Sequence, residues 1–243
     1  MRVALISDLH ANQLALDAVR RDIARVGVDQ VVCLGDVATL GPQPNSVIQT
    51  LREMGCPCIK GNHDDFLLEP TLIHGYTEAP VVVDAVDWCR DQLSADELDF
   101  LRGFRATMEI DLDSHHKLLL FHGSPESHMD DLLATTPPEQ LDRLLAGHLA
   151  PVMAGGHTHV QMLRQHRGML LVNPGSLGQP FKEYVNGRPP SVMAHAEYAT
   201  VEAANGTVNI TLRRVELDRG ALKAAAASAV TNPLTSFLVE QYS

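Results

Sequence analysis

Arg2-Val3-Ala4-Leu5-Ile6-Ser7-Asp8-Leu9-His10 decides the fold, together with Gln30-Val31-Val32-Cys33-Leu34-Gly35-Asp36 and Pro57-Cys58-Ile59-Lys60-Gly61-Asn62-His63-Asp64. Each stretch starts as a short apolar run, the signature of a buried strand, and ends on Asp or His. The spacing between them is helical. Leu14, Leu16, Ala18, Val19 and Ile23 predict a helix from near Asn12. Val47, Ile48, Leu51 and Met54 predict another after the turn residues Gly41 to Pro44. Strands alternating with helices over 60 residues imply parallel βαβ units in one sheet.

Outward from this core, residues 66–104 read as mainly helical, with a capping box at Ser94-Ala95-Asp96-Glu97. Strand-like runs return at Arg105 to Ile110, Leu118 to Phe121, Val152 to Ala154, Gln161 to Gln165 and Met169 to Val172. Pro137-Pro138-Glu139 opens a helix reaching about Gly147. His115-His116 reads as a turn between strands. Residues 175–190 read as a loop. Asn205-Gly206, between Tyr198–Glu202 and Val208–Leu212, is a hairpin signal. An Ala-rich helix follows from Arg219. The expected fold is α/β with mixed sheets, as a single domain over 1–243. It has a helical insert around 66–104, placed to serve as a lid that selects substrate, and a C-terminal hairpin plus helix around 191–243.

The 243 residues carry 19 Lys and Arg against 30 Asp and Glu, a net charge of −11. Such a chain does not attract a nucleic-acid polymer or an acidic membrane. Aromatics at 5% and four lysines argue the same way against a nuclease acting on polymers. No apolar run has the length of a membrane span, and the N-terminus turns acidic too early for a signal peptide. The expected location is cytoplasmic. Cys33, Cys56, Cys58 and Cys89 do not make a disulfide framework. Cys56-Pro57-Cys58 is half a zinc pattern with no second half, so buried thiols are the better reading.

The expected strand ends collect His and carboxylates: Asp8-Leu9-His10, Gly35-Asp36, Gly61-Asn62-His63-Asp64, His122-Gly123 and Gly156-His157-Thr158-His159. Ligands of open α/β sheets sit at the carboxyl ends of strands. Singly, most have a plainer reading: Asp8 as a helix cap, Asp36 as an Asx turn, His122 as a core histidine. On a strand, Asp8 and His10 would point the same way, and so would His157 and His159, each pair a chelate. Mixed imidazole and carboxylate ligands suit Mn, Fe, Zn or Co. Two such ions can clamp a phosphoryl group, and their charge offsets the acidic surroundings.

In this order the five blocks resemble the signature of the calcineurin-like metallophosphoesterases. Asn173-Pro174-Gly175-Ser176 with Gly178, and Gly35-Asp36 followed by Gly41-Pro42, resemble its small bacterial YfcE-like phosphodiesterase branch. The resemblance implies a four-layer αββα sandwich. It implies two divalent ions, Mn first, with Fe, Zn, Co or Ni as alternatives. Asp8, His10 and His159 would hold one ion, Asn62, His122 and His157 the other, and Asp36 would bridge. A metal-bridging hydroxide would attack a small phosphodiester or nucleotide-type phosphate ester in line. His63 would act beside the leaving oxygen, which makes His63 and Asp36 the catalytic residues. Asn62, His63 and Asn12 would face substrate, Asn12 also reading as a helix cap.

A phosphomonoesterase or a dinucleoside polyphosphate hydrolase fits the same blocks. A non-catalytic metal-binding interaction protein is the reading from another class, but a decayed scaffold would have lost ligands, and all seven plus His63 are present. Eukaryotic Ser/Thr phosphatases of the superfamily have an Asp-Arg pair shortly after the bridging Asp. Val37-Ala38-Thr39-Leu40 stands here instead, which argues against protein phosphatase activity. Asn173 and Ser176 read as shaping the loop, and His128 as a substrate contact from a segment overhanging the site.

Overall fold

A computed structural model describes residues 1–185 and 187–243. β1 (Arg2–Ile6) pairs in parallel with β2 (Gln30–Cys33), with α1 (Gln13–Val26) as the crossover. Asn12 caps α1, its Oδ1 accepting from the Ala15 N–H at 3.0 Å. α2 (Pro44–Glu53) starts on a proline, as the turn residues before it predict. The expected third strand, Pro57 to Lys60, shrinks to two isolated bridges, Cys58 beside Cys33 and Ile59 beside Arg105.

Four helical segments follow: α3 (Asn62–Leu68), a 3₁₀ helix (Pro70–Gly75), α4 (Pro80–Gln92) and α5 (Ala95–Arg102). α5 carries the predicted capping box, with Ser94 and Glu97 each accepting from the other's backbone N–H. β3 (Met108–Asp111) and β4 (Lys117–Leu120) form a hairpin whose turn is closed by the Asp113 carboxylate accepting from the His115 and His116 N–H groups. α6 (Pro138–Leu144), β5 (Val152–Ala154), β6 (Met162–His166) and β7 (Met169–Asn173) come next. The long hairpin of β8 (His195–Ala204) and β9 (Thr207–Glu216) leads into α7 (Arg219–Ser228) and α8 (Thr235–Gln241). The sequence reading has no α8: only seven residues long, it has too little period to read.

Two sheets result, ordered β2-β1-β8-β9 and β3-β4-β5-β7-β6. Strand alternation assigns each face. Val3, Leu5, Val32, Leu118, Leu120, Val152, Ala154, Val172, Ala199 and Val201 interdigitate between the sheets. The opposite faces meet helices: Ala4, Ile6, Cys33 and Tyr198 pack with α1 to α5, and Leu119, Met153 and Leu171 pack with α6. This is the four-layer αββα sandwich. Each fully buried Leu or Val in it contributes about 1.5–3 kcal/mol.

β1 and β2 of one sheet, and β4, β5 and β7 of the other, are the parallel strands. Their carboxyl ends share one edge of the sandwich. Among the described residues no helix is long and apolar enough to cross a membrane. Cys33, Cys56, Cys58 and Cys89 are buried and unpaired.

Candidate metal centre

The loops at that edge bring together Asp8, His10 and His159 as one group, and Asp36, His122 and His157 as a second. The strands stop short of them: β1 ends at Ile6 and β5 at Ala154. Strand alternation therefore does not aim these side chains, contrary to the expectation for the Asp8–His10 and His157–His159 pairs. Backbone strain does. Asp8, His10, Asp36, His157 and His159 all take left-handed φ, between 42° and 69°. That region costs a non-glycine residue about 1 kcal/mol or more, though Asp and His tolerate it better than most. It also separates the neighbouring histidines, sending His157 to the second group and His159 to the first.

The loops hold one another in this shape. The Asp8 N–H donates to the Gly35 carbonyl and the His10 N–H to the Asp36 carbonyl. Asp8 Oδ2 accepts from the His157 N–H at 3.2 Å. Gly156 lies so close that a Cβ there would collide with Ser7 Oγ and stand 2.7 Å from Asp8 Oδ2. At Gly35, with φ 104°, a Cβ would come within 2.9 Å of His122 Nδ1. Asn173 and Ser176 clamp both ligand loops: Asn173 Nδ2 donates to the Gly156 carbonyl and Ser176 Oγ to the Asp8 carbonyl. Asn12 Nδ2 donates to the Gly178 carbonyl, so both ends of its amide are bound within the fold.

The lone pairs show what the site takes. His122 Nδ1 lies 2.6 Å from the Leu34 carbonyl, which can only accept, so Nδ1 carries the proton. Its Nε2 lone pair then faces Asn62 Oδ1 at 3.1 Å and Asp36 Oδ2 at 3.4 Å, both acceptors. His159 Nδ1 donates to the Gln179 carbonyl at 2.7 Å, leaving Nε2 bare toward His10 Nε2 at 2.9 Å and Asp8 Oδ1 at 3.4 Å. Asp8 Oδ1 is buried without a hydrogen-bond partner. His157 Nδ1 is 3.0 Å from the same Asn62 oxygen. Acceptors converging on acceptors in a buried pocket fit two cations, with backbone carbonyls fixing the tautomers of the ligands.

Asp36 stands between the groups. Oδ1 accepts from the His63 N–H at 2.9 Å. Oδ2 is 3.4 Å from His122 Nε2 and 3.9 Å from His10 Nε2. Without ions the carboxylates favour a proton on His122, while burial keeps His10 neutral. Burial disfavours charge on His122, but Asp36 and Asp8 outweigh it and raise its pKa to about 10. Asp36 is held well below the usual carboxylate range, against its burial, by His122, His63 and His10. Burial, then His159, keeps His10 well below its ordinary value.

His63 is buried, and its Nδ1 has no hydrogen-bond partner. Neither Asp64 nor Asp65 holds its ring. Aromatic neighbours do: Phe66 at 5.1 Å, Tyr76 at 5.6 Å and His10 at 5.2 Å between ring centroids. Asp64 turns away and accepts backbone N–H bonds from Asp36, Val37 and Gly61, each at 2.9 Å. Burial and the charge of Asp36 raise it to about 7 against those donors.

Several neighbours escaped the sequence reading. Thr39 Oγ1 lies 3.1 Å from His10 Nδ1. Asp131 Oδ1 is 3.6 Å from His157 Nε2, and its other oxygen accepts from the Tyr184 hydroxyl at 2.5 Å. Tyr76 reaches over from the 66–104 segment. Only Asp64 carried a local signal, an acid three residues after Gly61 at a helix start. His128, from the overhanging segment, lies 3.8 Å from Asp65 rather than against a ligand.

A four-layer sandwich with two adjacent histidine–carboxylate groups at one edge defines a class of metal-binding hydrolases. The chain belongs to the calcineurin-like phosphoesterase superfamily, whose domain description matches residues 1–204. It is 26% identical over 245 residues to the uncharacterized protein MJ0912 of Methanocaldococcus jannaschii, covering 98% of this chain and 96% of that one. A crystal structure of a metallophosphoesterase from Sphaerobacter thermophilus is 25% identical, with a TM-score of 0.75 and 99% of both chains covered. The phosphoesterase YfcE of E. coli shares the fold, at 21% identity and a TM-score of 0.50, over 90% of this chain and 100% of that one.

Proposed function

We propose that this chain is a dinuclear metal-dependent phosphoesterase hydrolysing small phosphodiesters or nucleotide-type phosphate esters. The observation that carries the reading is Asp36 Oδ2, with His122 Nε2 at 3.4 Å on one side and His10 Nε2 at 3.9 Å on the other. Asp8, His10, His159 and Asp36 would hold one ion, and Asp36, Asn62, His122 and His157 the other. When bound, such ions supply positive charge to the phosphoryl oxygens and acidify an attacking water.

The remaining work falls to the protein. Asn62 gives its Oδ1 to the second group and keeps buried Nδ2 unpaired, a donor for a phosphoryl oxygen. His63 sits edge-on to His10 with a buried, unpartnered Nδ1. It would give a proton to the leaving oxygen or hold charge beside the phosphate. Burial pulls its pKa below the ordinary imidazole value despite the opposing charge of Asp36, so the ring would need the negative charge of a bound phosphate to hold the proton it gives.

The test is reconstitution. The chelator-stripped protein should be inactive, and Mn should restore turnover of bis-p-nitrophenyl phosphate, p-nitrophenyl phosphate or both. The ratio separates diesterase from monoesterase. Two bound ions without turnover of any phosphate ester would move the reading to a non-catalytic binding protein, and no bound ion would end it.

A further inference from the structure

We propose that Tyr76 is the specificity-determining wall of this site and selects phosphate esters whose leaving group is a planar aromatic. The proposal rests on the phosphoesterase reading above and names the substrate class of that site.

The chain has only six Phe, four Tyr and one Trp. Two Phe and two Tyr of these stand at the metal centre, and three have their contacts filled. Phe181 lies on the His159 ring, 4.2 Å between centroids and 30° between planes. The Tyr184 hydroxyl is bound to Asp131. Phe66 is buried beneath His63 and Tyr76. Tyr76 alone remains open: it is 46% exposed, and its hydroxyl makes no hydrogen bond among the described residues.

Its position is fixed by the fold. Tyr76 follows the 3₁₀ helix, which is anchored by Ile73 in the core, and its N–H donates to the Ile73 carbonyl. One side of the ring leans on Phe66 at 5.6 Å, and the ring stands 5.6 Å from His63 and 6.5 Å from His157. A group leaving on the His63 side therefore departs along Tyr76. A flat aromatic group can stack on the open ring, whereas an alkyl group gains only area. Such pairs add about 2- to 12-fold in affinity beyond buried area.

The experiment uses nonhydrolysable probes. Mn-loaded wild type, Tyr76→Phe and Tyr76→Leu are titrated by calorimetry with phenylphosphonate, the equally bulky but non-aromatic cyclohexylphosphonate, and methylphosphonate. The wild type should prefer phenylphosphonate over cyclohexylphosphonate by about fivefold, with Tyr76→Phe keeping the preference and Tyr76→Leu reducing it to near one. Methylphosphonate reports the phosphate site separately from the wall. A preference that survives in Tyr76→Leu, is lost equally in Tyr76→Phe, or is absent from the wild type overturns the proposal while the phosphoesterase reading stands. Failure of the Mn-loaded wild type to bind any of the phosphonates or inorganic phosphate brings down that reading, and this inference with it.

Discussion

The tip of the β8–β9 hairpin and the ligand loops use the same left-handed backbone. At the tip, φ is 53° at Asn205 and 75° at Gly206; at Asp8, His10, Asp36, His157 and His159 it runs from 42° to 69°. The tip fills that region with residues that enter it readily, and two paired strands close it locally. The ligand loops fill it with functional side chains, and only bonds from other loops hold them there: Asp8 to Gly35, His10 to Asp36, and Gly178 to Asp8. A turn can be specified by two adjacent residues. A strained site is specified by everything packed around it, so damage to the two should look different.

Asp36→Asn should break the contrast most sharply. It removes the charge proposed above to serve both groups and should leave the sandwich intact. Removing an outer-shell partner costs 10- to 100-fold in metal affinity or activity, so loss of a shared ligand should cost about 100-fold or more. Metal analysis should show fewer than two ions per chain beside an unchanged circular dichroism spectrum. A variant that keeps two ions and full turnover would remove Asp36 from the bridge.

His63→Ala tests the other kind of site residue. It should keep both ions and lose roughly 10²–10⁴ in turnover, most for substrates with poor leaving groups. Loss of the ions instead would make His63 a ligand and not the proton carrier.

Asp64→Asn probes the packing that holds the loop. Its amide would present a donor to backbone N–H groups of Asp36, Val37 and Gly61, leaving at least one unpaired. The expected cost is about 1–3 kcal/mol in urea unfolding, with weaker metal binding because the Asp36 loop loses its anchor. Unchanged stability would show that the loop holds itself.

Gly206→Ala is the smallest. A Cβ there meets nothing within 4 Å, so only the positive φ opposes it, at about 1–2 kcal/mol. Metal content and turnover should not move. If they did, hairpin and centre would be coupled and the comparison would fail.

The fold was legible where its causes are local. The apolar runs of β1, β2, β4, β5 and β7, the Asn12 cap, the Ser94 capping box and the Asn205-Gly206 turn each depend on residues a few positions apart. The expected third strand is reduced to isolated bridges at Cys58-Ile59, and α8 leaves no sequence signal because about two turns of helix are stabilised by what they pack on.

The residues of the centre were legible as chemistry, since Asp, Asn and His recur at the ends of apolar runs. How they are aimed was not. The sequence by itself determined the layers and the ligand types, because hydrophobic period and side-chain chemistry are carried by neighbouring residues. The family resemblance already divided His157 and His159 between the two groups; only the tertiary structure decided the left-handed backbone that parts them, that Asp64 holds the Asp36 loop and that Tyr76 stands over His63. Those facts depend on left-handed backbone and on hydrogen bonds between segments up to about 170 residues apart, such as Ser176 to Asp8, which no local pattern encodes.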